Sequence, residues 1–401
     1  MPGESPSNMM RADGRRRRRP DAVATPSRRG WPVLMPIAIV VVIAVGWCWL
    51  WYYAASDAER TLAAWMARET AAGRSYSCGA QGIAGFPFRI EARCVDAAAL
   101  IKTAQPSFAV ATKAITVTAA IYHPTLLVGD FVGPLSFAEL GKPPSFAADW
   151  SSARVSLRGL PPEPQEVAVK LDQFRLDRAQ ASNTPALFQA DHVDMDSRLV
   201  DGSALANPVI ETDLRFTAAT APTVHAILAE PLDGEITAVL RGLKDLSPKP
   251  WADRFREIQA ASGTIEVKSL RLAQAEATVV GTGTLSINEH GKLDGLLQVG
   301  IVGLDHVVPL LGIDKLIGQG IDRLAGQSGQ GGQGLSALDR LVPGLGGVVR
   351  QSTNASLIEN LKKMGQQTEI DNKPAVMLPL RFSDGFVSLG MIPVGEVPPL
   401  F

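Results

Sequence analysis

Residues 30–56, GWPVLMPIAIVVVIAVGWCWLWYYAAS, run without a single charge. About 20 apolar residues in a helix cross a bilayer core, so this stretch commits the chain to a membrane before any other element is considered. Pro32 and Pro36 lie in its first turns, where a missing N–H costs least. Trp47, Trp49, Trp51, Tyr52 and Tyr53 close the run as an aromatic belt, and Trp31 marks its other end. The first thirty residues hold eight arginines, Arg15 to Arg19 in succession, against Glu4, Asp13 and Asp21. Arginine excess marks the cytoplasmic side. The expected order is a basic, disordered cytoplasmic tail (1–29), a transmembrane helix (30–56) and an exported β-rich domain (57–401). A cleaved signal peptide would end on small residues, and Trp and Tyr stand there instead. SRRGW, Ser27 to Trp31, is only a faint twin-arginine pattern. A net charge of -1 gives no electrostatic case for nucleic acid, and beside a spanning helix the arginines read as a topology signal.

The cysteines follow from that topology. Cys48 falls in the membrane run as a small apolar residue. Cys78 and Cys94 fall in the exported part, where disulfides persist, and are expected to bridge. A reactive thiol lacks support, since no histidine is near either in sequence. The stretch GIAGFPFRIEARC, 82–94, alternates Phe86, Phe88, Ile90, Ala92 and Cys94 with Pro87, Arg89, Glu91 and Arg93. It reads as one half-buried strand with proline near its start.

Helical spacing follows the membrane run, with Leu62, Trp65, Met66 and Glu69 on one face and Gly73 as a stop. Ser56 and Glu59 fit a capping box, unless the membrane helix simply continues. From Ser75 to about Pro248 the helical period is lost, and short β runs alternate with Pro, Gly, Asn and Asp. EVAVKLDQFRLDRA from Glu166, TIEVKSLRLAQA from Thr264 and VATKAITV from Val110 share a switch of apolar parity, the mark of a bulge or bend. Asp384-Gly385 makes a two-residue turn pairing Phe382 with Val387, Leu380 with Leu389 and Leu378 with Met391 on one face. Gly291 closes a three-residue loop opposing Ile287 to Leu293. Helices are expected at Trp251–Ala261, with Trp251, Phe255 and Ile258 in one stripe, at 305–324, and at 356–363. Gly326 to Gly334 reads as a flexible connector. The fold class is α+β and β-dominated: the transmembrane helix, then a long curved antiparallel sheet with a few packing helices.

No HExxH, GxSxG, CxxC or P-loop pattern with supporting partners appears, and the five histidines are scattered. His192, Asp194 and Asp196 would share one strand face within reach of a divalent ion. Alternating polar residues are also what a solvated strand face looks like, and that is the reading adopted: no catalytic, cofactor or metal site is expected.

Gly85, Phe86, Pro87, Phe88, Arg89 and Cys94, the segment Gly283 to Gly295, and Asp384, Gly385, Gly390, Pro393, Gly395, Pro398 and Pro399 carry a resemblance. In their order and spacing the chain, over roughly 58–401, resembles the uncharacterised bacterial family called domain of unknown function 2125. That resemblance implies an envelope protein and supplies no activity. More distantly, GTGTLSINEHGKLDGLLQVGIVGL and the bent-strand repeat are similar to AsmA-like proteins, which implies an elongated sheet with an apolar groove, inner-membrane anchoring and envelope lipid handling. The chain is short for a bridge across the whole envelope. The expectation is a bacterial inner-membrane protein, single-pass and largely periplasmic, binding phospholipid or another envelope lipid in an apolar groove. Clusters such as Phe86/Phe88/Ile90 and Leu380/Phe382/Leu389 would line or back that groove. The alternative is a non-enzymatic scaffold or protein-interaction module whose sheet is filled by its own helices.

Overall fold

The computed structural model describes residues 31–104, 106–160, 163–179, 184–247, 249–310 and 354–401. The expected tail at 1–29, the remainder of the helix expected to reach 324, and the Gly326–Gly334 connector lie outside the described residues. The chain divides into two units, Met1–Tyr52 and Tyr53–Phe401.

Helix α1, Trp31–Ala71, is one uninterrupted helix, apolar enough along its first part to cross a membrane. No second helix starts at Ser56. Its hydroxyl instead donates back to the Tyr53 carbonyl (2.9 Å), a mid-helix bond that replaces any capping role. The helix ends where Gly73 takes φ +80°.

Among the described residues, eighteen antiparallel strands make one sheet. β1 (Arg74–Ser77) and β2 (Ala80–Ala84) lie end to end along β3 (Arg89–Ile101). β4 (Phe108–Ala120) and β5 (His123–Glu139) follow as neighbours. The long β5 carries β6 (Phe146–Asp149) on one part and β7 (Ser152–Arg158) on another, and both pair with β8 (Glu166–Arg178). β9 (Phe188–Ser203), β10 (Ala206–Ala219), β11 (Leu232–Leu240), β12 (Thr264–Gln274), β13 (Ala277–Ile287) and β14 (Leu293–Val302) continue in chain order. β15 (Gln366–Ile370) and β17 (Phe386–Leu389) share the far edge of β16 (Lys373–Ser383), and β18 (Ile392–Glu396) pairs with β17. The strand-dominated class is as expected.

The shared parity switch has a common cause. Register slips between Val267 and Leu270 on β12, and opposite Lys113 on β4, while Gln173 on β8 takes φ +50°. Each irregularity turns the following residues over, so both halves of a long strand keep their apolar side chains on one face.

Both predicted turns form. Asp384 (φ +49°) and Gly385 (φ +80°) join β16 to β17, with Phe382 opposite Val387 and Leu380 opposite Leu389. Leu378 does not pair with Met391, however. Gly390 (φ +62°) turns the chain first, leaving Met391 65% exposed while Leu378 is fully buried. Asn288 and Lys292 close the Glu289–Gly291 loop, and Ile287 pairs with Leu293.

Helices α2 (Trp251–Ala260), α3 (Leu304–Leu310) and α4 (Asn354–Met364) pack around β13–β16. Leu304, Val307 and Val308 of α3 and Leu361 of α4 form a cluster with Leu297, Val299, Val376, Leu378 and Leu389. Leu380 and Phe382 pack against the same cluster, so this part of the sheet is filled by its own helices. On α2, Ile258 is buried, but Trp251 at the first turn is 75% exposed, so the expected stripe begins at Phe255.

Candidate functional site

Two faces alternate along every strand, and the register shows how far each one runs. Cys94, Ile115, Phe131, Ala153, Leu171, Val193, Phe216, Gly234, Leu272, Val279, Ile301 and Val376 are successive cross-strand partners from β3 to β16. No polar side chain interrupts that row. Gly234 belongs in it because the Phe216 ring lies over its Cα; a Cβ there would come within 2.1 Å of the ring. One residue away on the same strands, Asp130, Arg154, Lys170, Asp194, Arg215, Glu235 and Arg271 form a matching row on the opposite face. Ion pairs link it: Arg154–Asp130 (2.8 Å), Lys170–Asp194 (3.0 Å) and Arg215–Glu235 (2.9 Å). Beside this row the Glu211 carboxylate is buried between Lys268 and Arg198, which hold it below the usual carboxylate range.

The apolar face is hollow at its beginning. A cavity of about 450 Å³ lies between α1 and β1–β5. Leu62, Trp65 and Met66 of α1 form its roof, and Val110, Thr112, Ile115 and Val117 of β4 with Phe131 and Leu135 of β5 form its floor. The wall on β3 is Ala92, Cys94, Ala97 and Ala99, side chains too short to fill the space beneath a helix. Asp96, at φ +49°, lets Cys94 and Ala97 face the same way. Thr112 is buried, and its hydroxyl donates to the Val132 carbonyl (2.7 Å), so the floor offers no unsatisfied polar atom.

The end of α1 is pinned over this space. Arg74 of β1 donates to Glu69 (2.5 and 3.1 Å), and the Trp65 and Tyr76 rings lie 4.8 Å apart. The Arg74 guanidinium holds Glu69 below the ordinary carboxylate range, and burial pushes the Tyr76 phenol up. Cys78 and Cys94 are disulfide-bonded, with Cα atoms 5.3 Å apart, and the bridge forms part of the cavity wall. It ties the β1–β2 link to β3.

The GFPFR stretch departs from expectation. Phe86, Pro87 and Phe88 form the turn between β2 and β3 rather than a strand, and Phe86 and Phe88 are exposed, so they do not line the groove. Gly85 causes this. It takes φ +103°, and a Cβ there would lie 2.7 Å from the Arg89 carbonyl, whose N–H bonds back to Gly85. Ile90 follows on β3, where Arg89 is ion-paired with Glu91.

His192, Asp194 and Asp196 do share the charged face, but with separate partners: His192 meets Asp172 (2.7 Å) and Asp194 meets Lys170. Among the described residues no group of three His, Cys, Asp or Glu is placed to hold a metal ion. A larger notch of about 940 Å³ lies at the tips of two hairpins, lined by Gln259, Asn288, His290, Asp294 and Asp384. Its carboxylates serve the backbone and each other's loops: Asp294 accepts from the Asp384 N–H (2.6 Å), and Asp384 accepts from Asn288 (3.2 Å). It is a polar joint between turns.

A disulfide that points to an oxidising compartment and one long strand-built unit define a β-rich protein with a dry face, and its N-terminal helix, apolar enough to span a membrane, is compatible with a membrane anchor. Residues 51–398 match the family of uncharacterised proteins conserved in bacteria, domain of unknown function 2125, and the chain belongs to it. No curated protein matches the chain.

Proposed function

We propose that this protein is a single-pass inner-membrane protein, N-terminus in the cytoplasm and residues 57–401 in the periplasm, that holds the hydrocarbon chain of a phospholipid or another envelope lipid. It is non-enzymatic in this reading. The observation that carries it is the cavity beneath α1, whose roof belongs to the same helix as the apolar segment and whose walls expose almost no polar surface. An apolar cavity large enough for part of an acyl chain, opening on an apolar row, excludes water and favours hydrocarbon. The arginines at 15–19 and the Cys78–Cys94 bridge support the orientation.

The test is organic extraction of purified Tyr53–Phe401, exported to an oxidising compartment, followed by mass spectrometry. Stoichiometric phospholipid is the expected result; lipid-free, folded protein would overturn the reading. The second reading, a scaffold or protein-interaction module, draws on the filled face under α3 and α4.

A further inference from the structure

The cavity beneath α1 is a trough, long and narrow. Two cross-strand pairs mark its ends, Ala92 with Val117 and Ala99 with Val110. The strand steps from Ala92 to Ala99 cover about 23 Å. A volume of about 450 Å³ spread over that length leaves a cross-section of about 20 Å². Carbon atoms touch at about 4 Å, so a bore of about 5 Å admits one hydrocarbon chain and not two abreast. Volume gives the chain's length by a separate route. A dry apolar cavity of about 150 Å³ takes one benzene, so about 450 Å³ holds about 18 carbons. An extended chain advances roughly 1.25 Å per carbon, so about 18 carbons measure about 22 Å, the length of the trough.

The two ends differ. At Ala99 the trough is stopped, because Tyr76 pairs with Ala99 and the Trp65 ring lies 4.8 Å from that of Tyr76. At Ala92 it opens, and Val117 there is 36% exposed. Around this mouth Ile83 pairs with Ala92, Gly129 with Val117, and Ile90 and Leu127 with Ala119 one step further out on the same face. None of these side chains carries a charge or a hydrogen-bonding group. Inside, the Thr112 hydroxyl already donates to the Val132 carbonyl. A headgroup therefore stays outside, and the mouth offers no charged side chain to tell one head from another.

We infer that the site is a ruler for a single straight acyl chain: it admits one chain of up to about 18 carbons, methyl end toward Trp65 and Tyr76, whatever headgroup the chain carries. This rests on the reading of the cavity as a lipid site and adds what that site selects. A methylene left in water instead of hydrocarbon weakens binding about fourfold, so each carbon beyond the limit should weaken retention by that factor.

The test loads the full chain, held in a steroid-based detergent without an alkyl tail, with an equimolar series of saturated lysophosphatidylcholines from lauroyl to behenoyl. A parallel series uses lysophosphatidylglycerols. Retained lipid is extracted and quantified against the input by mass spectrometry. Retention should fall about fourfold per carbon beyond stearoyl, with the same limit for both heads. Ala99→Leu fills the stopped end and should lower the limit by roughly three carbons, a shift in chain length that lost stability alone would not produce. Ala92→Phe closes the mouth and should abolish retention of every chain. Dipalmitoyl-phosphatidylcholine in the same mixture separates the sources: retention equal to palmitoyl-lysophosphatidylcholine marks a phospholipid held by one chain, and weaker retention marks a monoacyl lipid. A limit that ignores Ala99→Leu, or that differs between the two heads, would overturn the ruler and leave the lipid site standing. Wild type retaining no more lipid than Ala92→Phe would overturn the lipid reading itself, and this inference with it.

Discussion

The two ends of the sheet present the same kind of surface and treat it in opposite ways. At β13–β16 the apolar rows are covered by α3 and α4, and Leu361, Leu378 and Val308 are fully buried. At β3–β5 the same rows continue beneath α1, yet a cavity remains. The difference lies in side-chain volume. Leucine, isoleucine and valine meet leucine and valine at the far end, while α1 faces Ala92, Ala97 and Ala99. Close packing is the norm in protein interiors, so a void kept open by small residues under a helix is a feature to be explained by an occupant.

The comparison breaks most sharply at its packed end. Leu378→Ala should cost about 2–5 kcal/mol, through lost transfer energy and an unfilled cavity. Ala99→Phe at the hollow end should leave the thermal midpoint nearly unchanged, because the space already exists. Thermal melts of both variants check this; equal losses would mean that the two ends are packed alike. Next in size is the bridge that closes the hollow end. Cys94→Ser should leave Cys78 free and cost about 3 kcal/mol, the chain-entropy value for a loop of this length. Thiol titration of the unfolded wild type should find only Cys48 reactive; Cys78 and Cys94 reacting as well would remove the brace from the account.

Smaller is the effect of Gly85→Ala. Its positive φ and the 2.7 Å approach of the Arg89 carbonyl make any side chain strained, at about 1–2 kcal/mol. Denaturant midpoints measure it, and a neutral result would mean that the β2–β3 turn relaxes freely. Smallest is Glu69. Its carboxyl is lowered by Arg74, so the pair stabilises fully above the unfolded carboxylate pKa, and that contribution fades as pH falls through the lower folded value. The partly exposed pair contributes under about 1 kcal/mol. Glu69→Gln should remove that acid-side loss and change little at neutral pH; an unaltered pH profile would uncouple Glu69 from the pinning of α1.

Much of this architecture was legible in the residues. Turn chemistry specified Asp384-Gly385 and Gly291, and the parity switch located irregularities at Lys113, Gln173 and Lys268 because period-2 side-chain placement leaves no other way to keep one face dry. The Phe86–Phe88 turn was not legible, since alternation happens to continue through it, and only the strain at Gly85 ends the strand. Gly390 hid Met391 in the same manner. The lining of the apolar groove was misplaced for a deeper reason. Alternation tells which face is dry and not what dries it, so Leu380 and Phe382 look like groove residues until α3 and α4 are seen upon them. One signal was present: DAAALI, Asp96 to Ile101, puts small side chains opposite a helix stripe of Leu62, Trp65 and Met66.

Occupation of the hollow end by a hydrocarbon chain is what most needs testing. The direct measurement is native mass spectrometry of Tyr53–Phe401 with phospholipid, comparing wild type with Ala99→Phe. Bound lipid on the wild type and its loss from the variant at unchanged stability are expected. Equal lipid on both proteins, or none on either, would contradict that occupation.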